Sequence, residues 1–145
     1  MDRPGVPQTF VRMLRRCPCL GNEELPALEL ANAVVGGTFL GRLNNNLRER
    51  HGFTYGAGSA LWAGARSGLW TASSSVHADV TARAVDQFLR ELCSLGDTPP
   101  TAEERDRVLA MERAHRVRAM ENLTDVVATL APWAEAERPP DAASR

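Results

Sequence analysis

Hydrophobic and polar residues alternate near the start of the chain and then change to helical spacing. Over residues 7–14 successive side chains fall on two different faces, which predicts a β-strand. We expect an irregular connection over residues 15–21. Beyond it, apolar residues recur at every third or fourth position from a capping Asn22 as far as Gly36 and Gly37, which predicts a helix ended by glycine.

A second helix is predicted over residues 38–50. Phe39, Leu43 and Leu47 follow one another at steps of four and so would share one face. Gly52 stands directly after this segment, where glycine is favoured because it readily enters the left-handed conformation that ends a helix. The next element therefore begins almost at once.

Two strands are predicted over residues 54–62 and 68–76, joined by a turn around Gly64. Their spacing is typical of an antiparallel hairpin. The small residues at 56–60 leave room above the first strand. That room suits either a peptide backbone or a closely packed helix.

The second half of the chain is predicted to be helical, with a polar tail. Its helices begin at typical N-terminal residues: Asp79 or Thr81, the capping-box pair Thr101 and Glu104, and Asn122. From Pro132 onward Ala, Glu, Pro and Ser dominate, which predicts disorder. The domain thus covers residues 1–131 and the disordered tail residues 132–145.

The order of these elements is strand, two helices, two strands and two helices. It predicts an α+β domain in two layers, with a largely antiparallel sheet and helices packed on one face.

Composition excludes several classes of function. Lys and Arg number 17 and Asp and Glu 18, so the net charge of −1 argues against nucleic-acid binding. No apolar run is long enough to span a membrane, and the first residues lack the apolar core of a signal peptide. The three cysteines are Cys17, Cys19 and Cys93, a set that predicts free thiols. A cytoplasmic location is the expectation.

No metal site or catalytic nucleophile is predicted. His51, His77 and His115 lie far apart, and none belongs to an H-E-x-x-H or H-x-x-E-H arrangement. The serines at 73–75 lie inside a predicted strand without the G-x-S-x-G turn of hydrolases. We therefore expect no catalytic residue and no metal ligand in this chain.

Arg48 and Tyr55 are the candidate binding residues. They lie seven positions apart, one near the end of a predicted helix and the other at the start of a strand. A guanidinium and a phenol hydroxyl can together hold a peptide carbonyl or stabilise an oxyanion, and an extended peptide can pair with the strand. The alternative is structural, since Arg suits a helix C-terminus and Tyr suits strands.

The segment that carries both residues is a long motif that resembles the C-terminal, zinc-free domain of the pitrilysin/insulinase family of inverted-motif zinc metallopeptidases. It reads Leu43-Asn44-Asn45-Asn46-Leu47-Arg48-Glu49-Arg50-His51-Gly52-Phe53-Thr54-Tyr55-Gly56. The likeness covers roughly residues 3–120. It implies the LuxS/MPP-like metallopeptidase fold, here incomplete, because the family's domain ordinarily has more chain at both ends.

The resemblance also implies a function. In that family, zinc and a glutamate base belong to an H-x-x-E-H domain or subunit, and the C-terminal domain contributes an arginine and a tyrosine to the substrate. Those roles match Arg48 and Tyr55, whereas the asparagines and glycines match a structural role. We expect a substrate-binding, zinc-free half of a peptidase that acts on extended peptides with such a partner. The alternative is a structural or interaction subunit, or a truncated remnant, with no peptidase role.

Overall fold

The computed structural model describes residues 5–139 of the 145. Within these residues one antiparallel sheet is formed, in the spatial order β1–β3–β2, from β1 (Gln8–Cys17), β2 (Thr54–Ala63) and β3 (Gly68–His77). Helices accompany the sheet. The predicted α+β class and the predicted hairpin are confirmed.

The strand ends show how the sheet is joined. The Ala78 N–H donates to the Pro7 carbonyl (3.1 Å), and the Gly64 N–H closes the hairpin on the Ser67 carbonyl (3.0 Å). Strand β1 runs on to Cys17, so the predicted irregular connection begins later than expected. The alternation of burial ends at Arg15, because Arg15 and the following Arg16 are both exposed.

Five α-helices are present in the described part of the chain, namely α1 (Leu25–Asn32), α2 (Arg42–Asn44), α3 (Thr81–Asp97), α4 (Ala102–Arg118) and α5 (Leu123–Glu135). The capping box is confirmed, since the Thr101 hydroxyl accepts from the Glu104 N–H (3.2 Å) and the Glu104 carboxylate accepts from the Thr101 N–H (2.9 Å). Asn122 caps α5 through the Asp125 N–H (2.9 Å).

The predicted cap of α3 is wrong. A 3₁₀ turn over Ala78–Val80 leads directly into α3, so Thr81 is already its first residue. Its hydroxyl instead donates to the Ala78 carbonyl (2.8 Å) and contacts the hydroxyl of Thr9 on β1 (2.8 Å). Thr81 therefore ties the helix start to the sheet.

Two helices continue as π-helical turns, which the sequence did not indicate. Helix α1 passes into Ala33–Gly37, and α2 passes into Asn45–Arg50. A π turn adds one residue to a helical turn, and this changes the spacing of apolar residues too little for the sequence pattern to indicate it. Such turns are frequent at functional sites. The second predicted helix also begins later, at Arg42, because the backbone at Gly41 is extended.

The chain divides into two compact units. The first comprises residues up to Leu14 together with Ala31–Ala60 and Thr71–Pro100, and it contains the fully buried side chains Leu43, Leu47, Val76 and Phe88. The second comprises Arg15–Leu30, Leu61–Trp70 and the residues from Thr101 onward, and its buried apolar residues are Leu20, Leu25 and Val108. The first unit therefore holds most of the core.

Helix α5 continues through Pro132 to Glu135. Part of the predicted tail thus has helical structure, and residues 140–145 lie outside the described part. The domain boundary at residue 131 stays a prediction. No helix among the described residues is long and apolar enough to cross a membrane.

Candidate functional site

Arg48 lies in the π turn Asn45–Arg50, with its guanidinium held between two neighbours. The guanidinium carbon lies 4.7 Å from the centre of the Phe39 ring, and Nη1 is 2.9 Å from Oε1 of Glu49. The Arg48 side chain keeps 37% of its surface exposed. A cation over an aromatic face is attracted by the ring's quadrupole, so Arg48 is oriented while part of its side chain stays exposed.

The turn after Arg48 is closed by glycine. Gly52 has φ +63°, and its N–H donates to the Arg48 carbonyl (3.0 Å), while the Phe53 N–H donates to the Leu47 carbonyl (2.9 Å). Each bond spans one residue more than in the usual glycine cap of an α-helix, because the preceding turn is π-helical. The role predicted for Gly52 is confirmed.

Tyr55 follows as the second residue of β2. Its side chain is 84% exposed, so the hydroxyl is available to a ligand. Strand β2 lies at an edge of the sheet formed by the described residues. The structure thus places Arg48 and Tyr55 on either side of one closed turn, both accessible, with Arg48 engaged by Phe39 and Glu49 and Tyr55 projecting into solvent.

Asn44 is a buried side chain that joins two segments of the site. Its Nδ2 donates to the carbonyl of Phe39 (2.9 Å), and its Oδ1 accepts from the N–H of Ala57 (2.8 Å). Burial of an amide is costly unless its polar atoms are paired, and here both are. Asn44 therefore links the backbone at Phe39 to strand β2.

Asn46 is also buried but is paired differently. Its Nδ2 donates to Oε1 of Glu91 (2.6 Å) and of Gln87 (3.3 Å) on α3. Its Oδ1 has no hydrogen-bond partner among the described residues. Asn46 thus fixes the π turn to α3.

Sequence reasoning missed Phe39 and Asn44. Phe39 was expected on the apolar face of a helix, but it precedes the helix and is 63% exposed. Gly41 was the available signal, because a glycine three residues before Asn44 marks a point where the backbone can depart from a helix. Asn44 was assigned only a general role in the shape of the motif.

Among the described residues, no group of three or more His, Cys, Asp and Glu side chains could hold a metal ion. His51 instead stacks on Phe53, with ring centres 4.9 Å apart and planes inclined by 19°. The histidine closest in sequence to Arg48 therefore packs against an aromatic ring.

Comparison with known proteins decides the family. Residues 1–111 match the family described as the peptidase M16 inactive domain. The chain belongs to this family. The predicted membership of the pitrilysin/insulinase family, as its inactive domain, is thereby confirmed.

Solved structures support the same fold. A peptidase M16 inactive domain from Pseudomonas fluorescens has a TM-score of 0.81 at 20% identity, covering 94% of this chain and 32% of that one. A protease from Helicobacter pylori has a TM-score of 0.84 at 17% identity, with coverages of 93% and 33%. The inactive peptidase domain of a zinc protease-like protein from Bordetella parapertussis has a TM-score of 0.81 at 17% identity, with coverages of 99% and 78%.

The chain spans about one third of the length of the first two of these proteins. No curated protein sequence matches it. At these identities the likeness establishes the fold of the M16 inactive domain.

Proposed function

We propose that this M16 inactive domain is the substrate-binding half of a peptidase and works with an H-x-x-E-H domain or subunit. That partner supplies zinc and the glutamate base. The observation that carries the proposal is the closed turn at Gly52, which leaves Arg48 and Tyr55 accessible on its two sides. Inactive halves of M16 proteins as structural neighbours also support pairing with a catalytic half.

The proposed substrate is an extended peptide. Arg48 offers a planar set of permanently charged donors, and Tyr55 offers a directional hydroxyl, so both suit a peptide carbonyl. Strand β2 lies at a sheet edge, where main-chain pairing gives affinity with little dependence on sequence. The N–H of Ala57 is already bonded to Asn44, so the proposed pairing is confined to the part of β2 before Ala57. Hydrogen bonds that strengthen as the carbonyl oxygen gains charge would stabilise the transition state formed in the partner's site.

The first test is recovery of the partner. The tagged chain is expressed in its source cells, and proteins that copurify with it are identified by mass spectrometry. We expect a protein with an H-x-x-E-H motif. If only this chain and chaperones are recovered, the proposal of a separate catalytic subunit is rejected.

The second test changes the two binding residues in the assembled enzyme. Arg48→Ala and Tyr55→Phe are each expected to lower turnover of a peptide substrate, and Arg48→Ala by about ten- to a hundredfold, since a hydrogen bond from a charged group contributes about 1.5–3 kcal/mol. Zinc content should not change. Arg50→Ala is the matched control, because Arg50 is exposed in the same turn. Unchanged turnover in both variants rules out the role.

A structural subunit is the second candidate function. It is favoured by one observation, that Arg48 already has partners in Phe39 and Glu49. Direct binding separates the two functions. The affinities of the unsubstituted chain and of its Arg48→Ala variant are compared for fluorescein-labelled peptides of reduced, alkylated casein. Equal affinities are expected of a structural subunit, and weaker binding by the variant is expected of a substrate-binding domain.

A further inference from the structure

Three contacts connect Arg48 to the strand that bears Tyr55. The Arg48 guanidinium lies over the Phe39 ring (4.7 Å), and the Phe39 carbonyl accepts from Nδ2 of Asn44 (2.9 Å). Oδ1 of the same Asn44 accepts from the N–H of Ala57 (2.8 Å), two residues after Tyr55 on β2. The path therefore runs from one donor of the site to the other through a single buried amide.

The orientation of the Asn44 amide is fixed by its partners. One partner is a carbonyl and the other an N–H, so reversing the amide would place donor against donor and acceptor against acceptor. With only 5% of its surface exposed, Asn44 is largely shielded from water that could replace either bond. Asn44 thus holds the Phe39 backbone at one distance from β2.

Phe39 is not held in place by burial of its ring. The residue is 63% exposed, although a large aromatic side chain ordinarily lies inside. Its ring face is occupied by Arg48. The ion pair with Glu49 alone is a weak restraint, because Glu49 is 61% exposed and such pairs contribute little at a protein surface.

We propose that Phe39 and Asn44 are positioning residues for the peptide-binding pair. The Phe39 ring holds the Arg48 guanidinium in one orientation, and Asn44 fixes that ring relative to the strand of Tyr55. This proposal rests on the proposed function, in which both donors bind one extended peptide. A preset arrangement lowers the entropy lost when the peptide binds.

The first experiment measures peptide affinity by fluorescence anisotropy, with the full chain and fluorescein-labelled peptides of reduced, alkylated casein. Phe39→Leu is expected to weaken binding by about two- to fivefold, the range of an exposed cation–π contact. In the Arg48→Ala background Phe39→Leu should have no further effect, because the two residues act together. Leu40→Ala is the control, since Leu40 is equally exposed (59%) beside Phe39.

The second experiment observes Arg48 directly, without peptide. Ring current from Phe39 should move the Arg48 side-chain proton resonances upfield in NMR spectra. Phe39→Leu should abolish this shift, and Asn44→Asp should reduce it at least about twofold, because aspartate keeps the acceptor for Ala57 but loses the donor to Phe39. Asn45→Asp adds the same charge at the next position along the chain, which is exposed, and should leave the shift unchanged.

The outcomes separate the positioning proposal from the proposed function. Arg48 resonances that are unchanged in Phe39→Leu, or equally changed by Asn44→Asp and Asn45→Asp, overturn the positioning proposal. Additive effects of Phe39→Leu and Arg48→Ala on affinity overturn it as well. Peptide affinity that is unchanged in Arg48→Ala rejects the proposed function, while the resonance shifts still decide whether Phe39 and Asn44 fix Arg48.

Discussion

Three consecutive asparagines in the central motif lie in three different environments. Asn44 is buried with both amide ends bonded to backbone groups, and Asn46 is buried with its oxygen unpaired among the described residues. Asn45 is exposed. The same residue type thus has a different energetic role at each position, which depends on what the turn brings near it.

Alanine substitution of the three asparagines tests this difference. Asn44→Ala should lower the free energy of unfolding by about 2–4 kcal/mol, because the Phe39 carbonyl and the Ala57 N–H would be left unsatisfied. Asn46→Ala should cost only about 1 kcal/mol, since it also removes an unpaired oxygen. Asn45→Ala should lie within about 0.5 kcal/mol of the wild type. Urea unfolding measures the free energy of unfolding of all three variants. Equal decreases would contradict the different energetic roles assigned to the three asparagines.

At the scale of elements, the π turn Ala33–Gly37 packs closely on strand β2. A Cβ at Gly36 would lie 2.7 Å from Cδ1 of Leu43 and 2.9 Å from the backbone nitrogen of Ser59. The glycine pair was expected only to end a helix. Its first member instead allows a helical turn and a strand to approach. The small residues at 56–60 predicted room above the strand but left open whether a helix or a peptide backbone would lie there.

Gly36→Ala is expected to destabilise the protein by about 1–3 kcal/mol, because the added methyl group overpacks a buried contact with the backbone of Ser59. Gly96→Ala is the matched control. Gly96 lies within α3 with no atom near its missing side chain, so alanine there should stabilise by about 0.5–1 kcal/mol through helix propensity. Thermal or urea unfolding measures both, and the interpretation fails if the two substitutions act in the same direction.

At the scale of the whole molecule, burial differs between the two units. The first unit has several fully buried side chains, among them Leu43, Leu47 and Phe88. In the second unit, α5 has no buried residue and Leu123 is 78% exposed. Local opening is easiest where few apolar contacts are lost, so stability should be uneven along the chain.

Amide hydrogen exchange tests this unevenness. Amides in α5 should exchange at least about tenfold faster than those around Phe88 in α3, after correction for intrinsic rates, which corresponds to about 1.4 kcal/mol of opening free energy. The comparison uses central residues of both helices so that fraying at the ends does not contribute. Equal protection of α3 and α5 would show that the chain opens as one cooperative unit.

The sequence by itself determined the α+β class, the hairpin around Gly64, the capping box at Thr101 and the family. These features rest on local rules, namely periodicity, turn residues, caps and a long motif. Tertiary structure decided what depends on contacts between distant residues: the π turns, the late start of α2, the exposed position of Phe39 over Arg48, and the bond from Asn44 to Ala57. Periodicity indicates which residues are buried. The hydrogen-bond partner of a side-chain amide depends instead on which backbone groups the fold brings within about 3 Å of it.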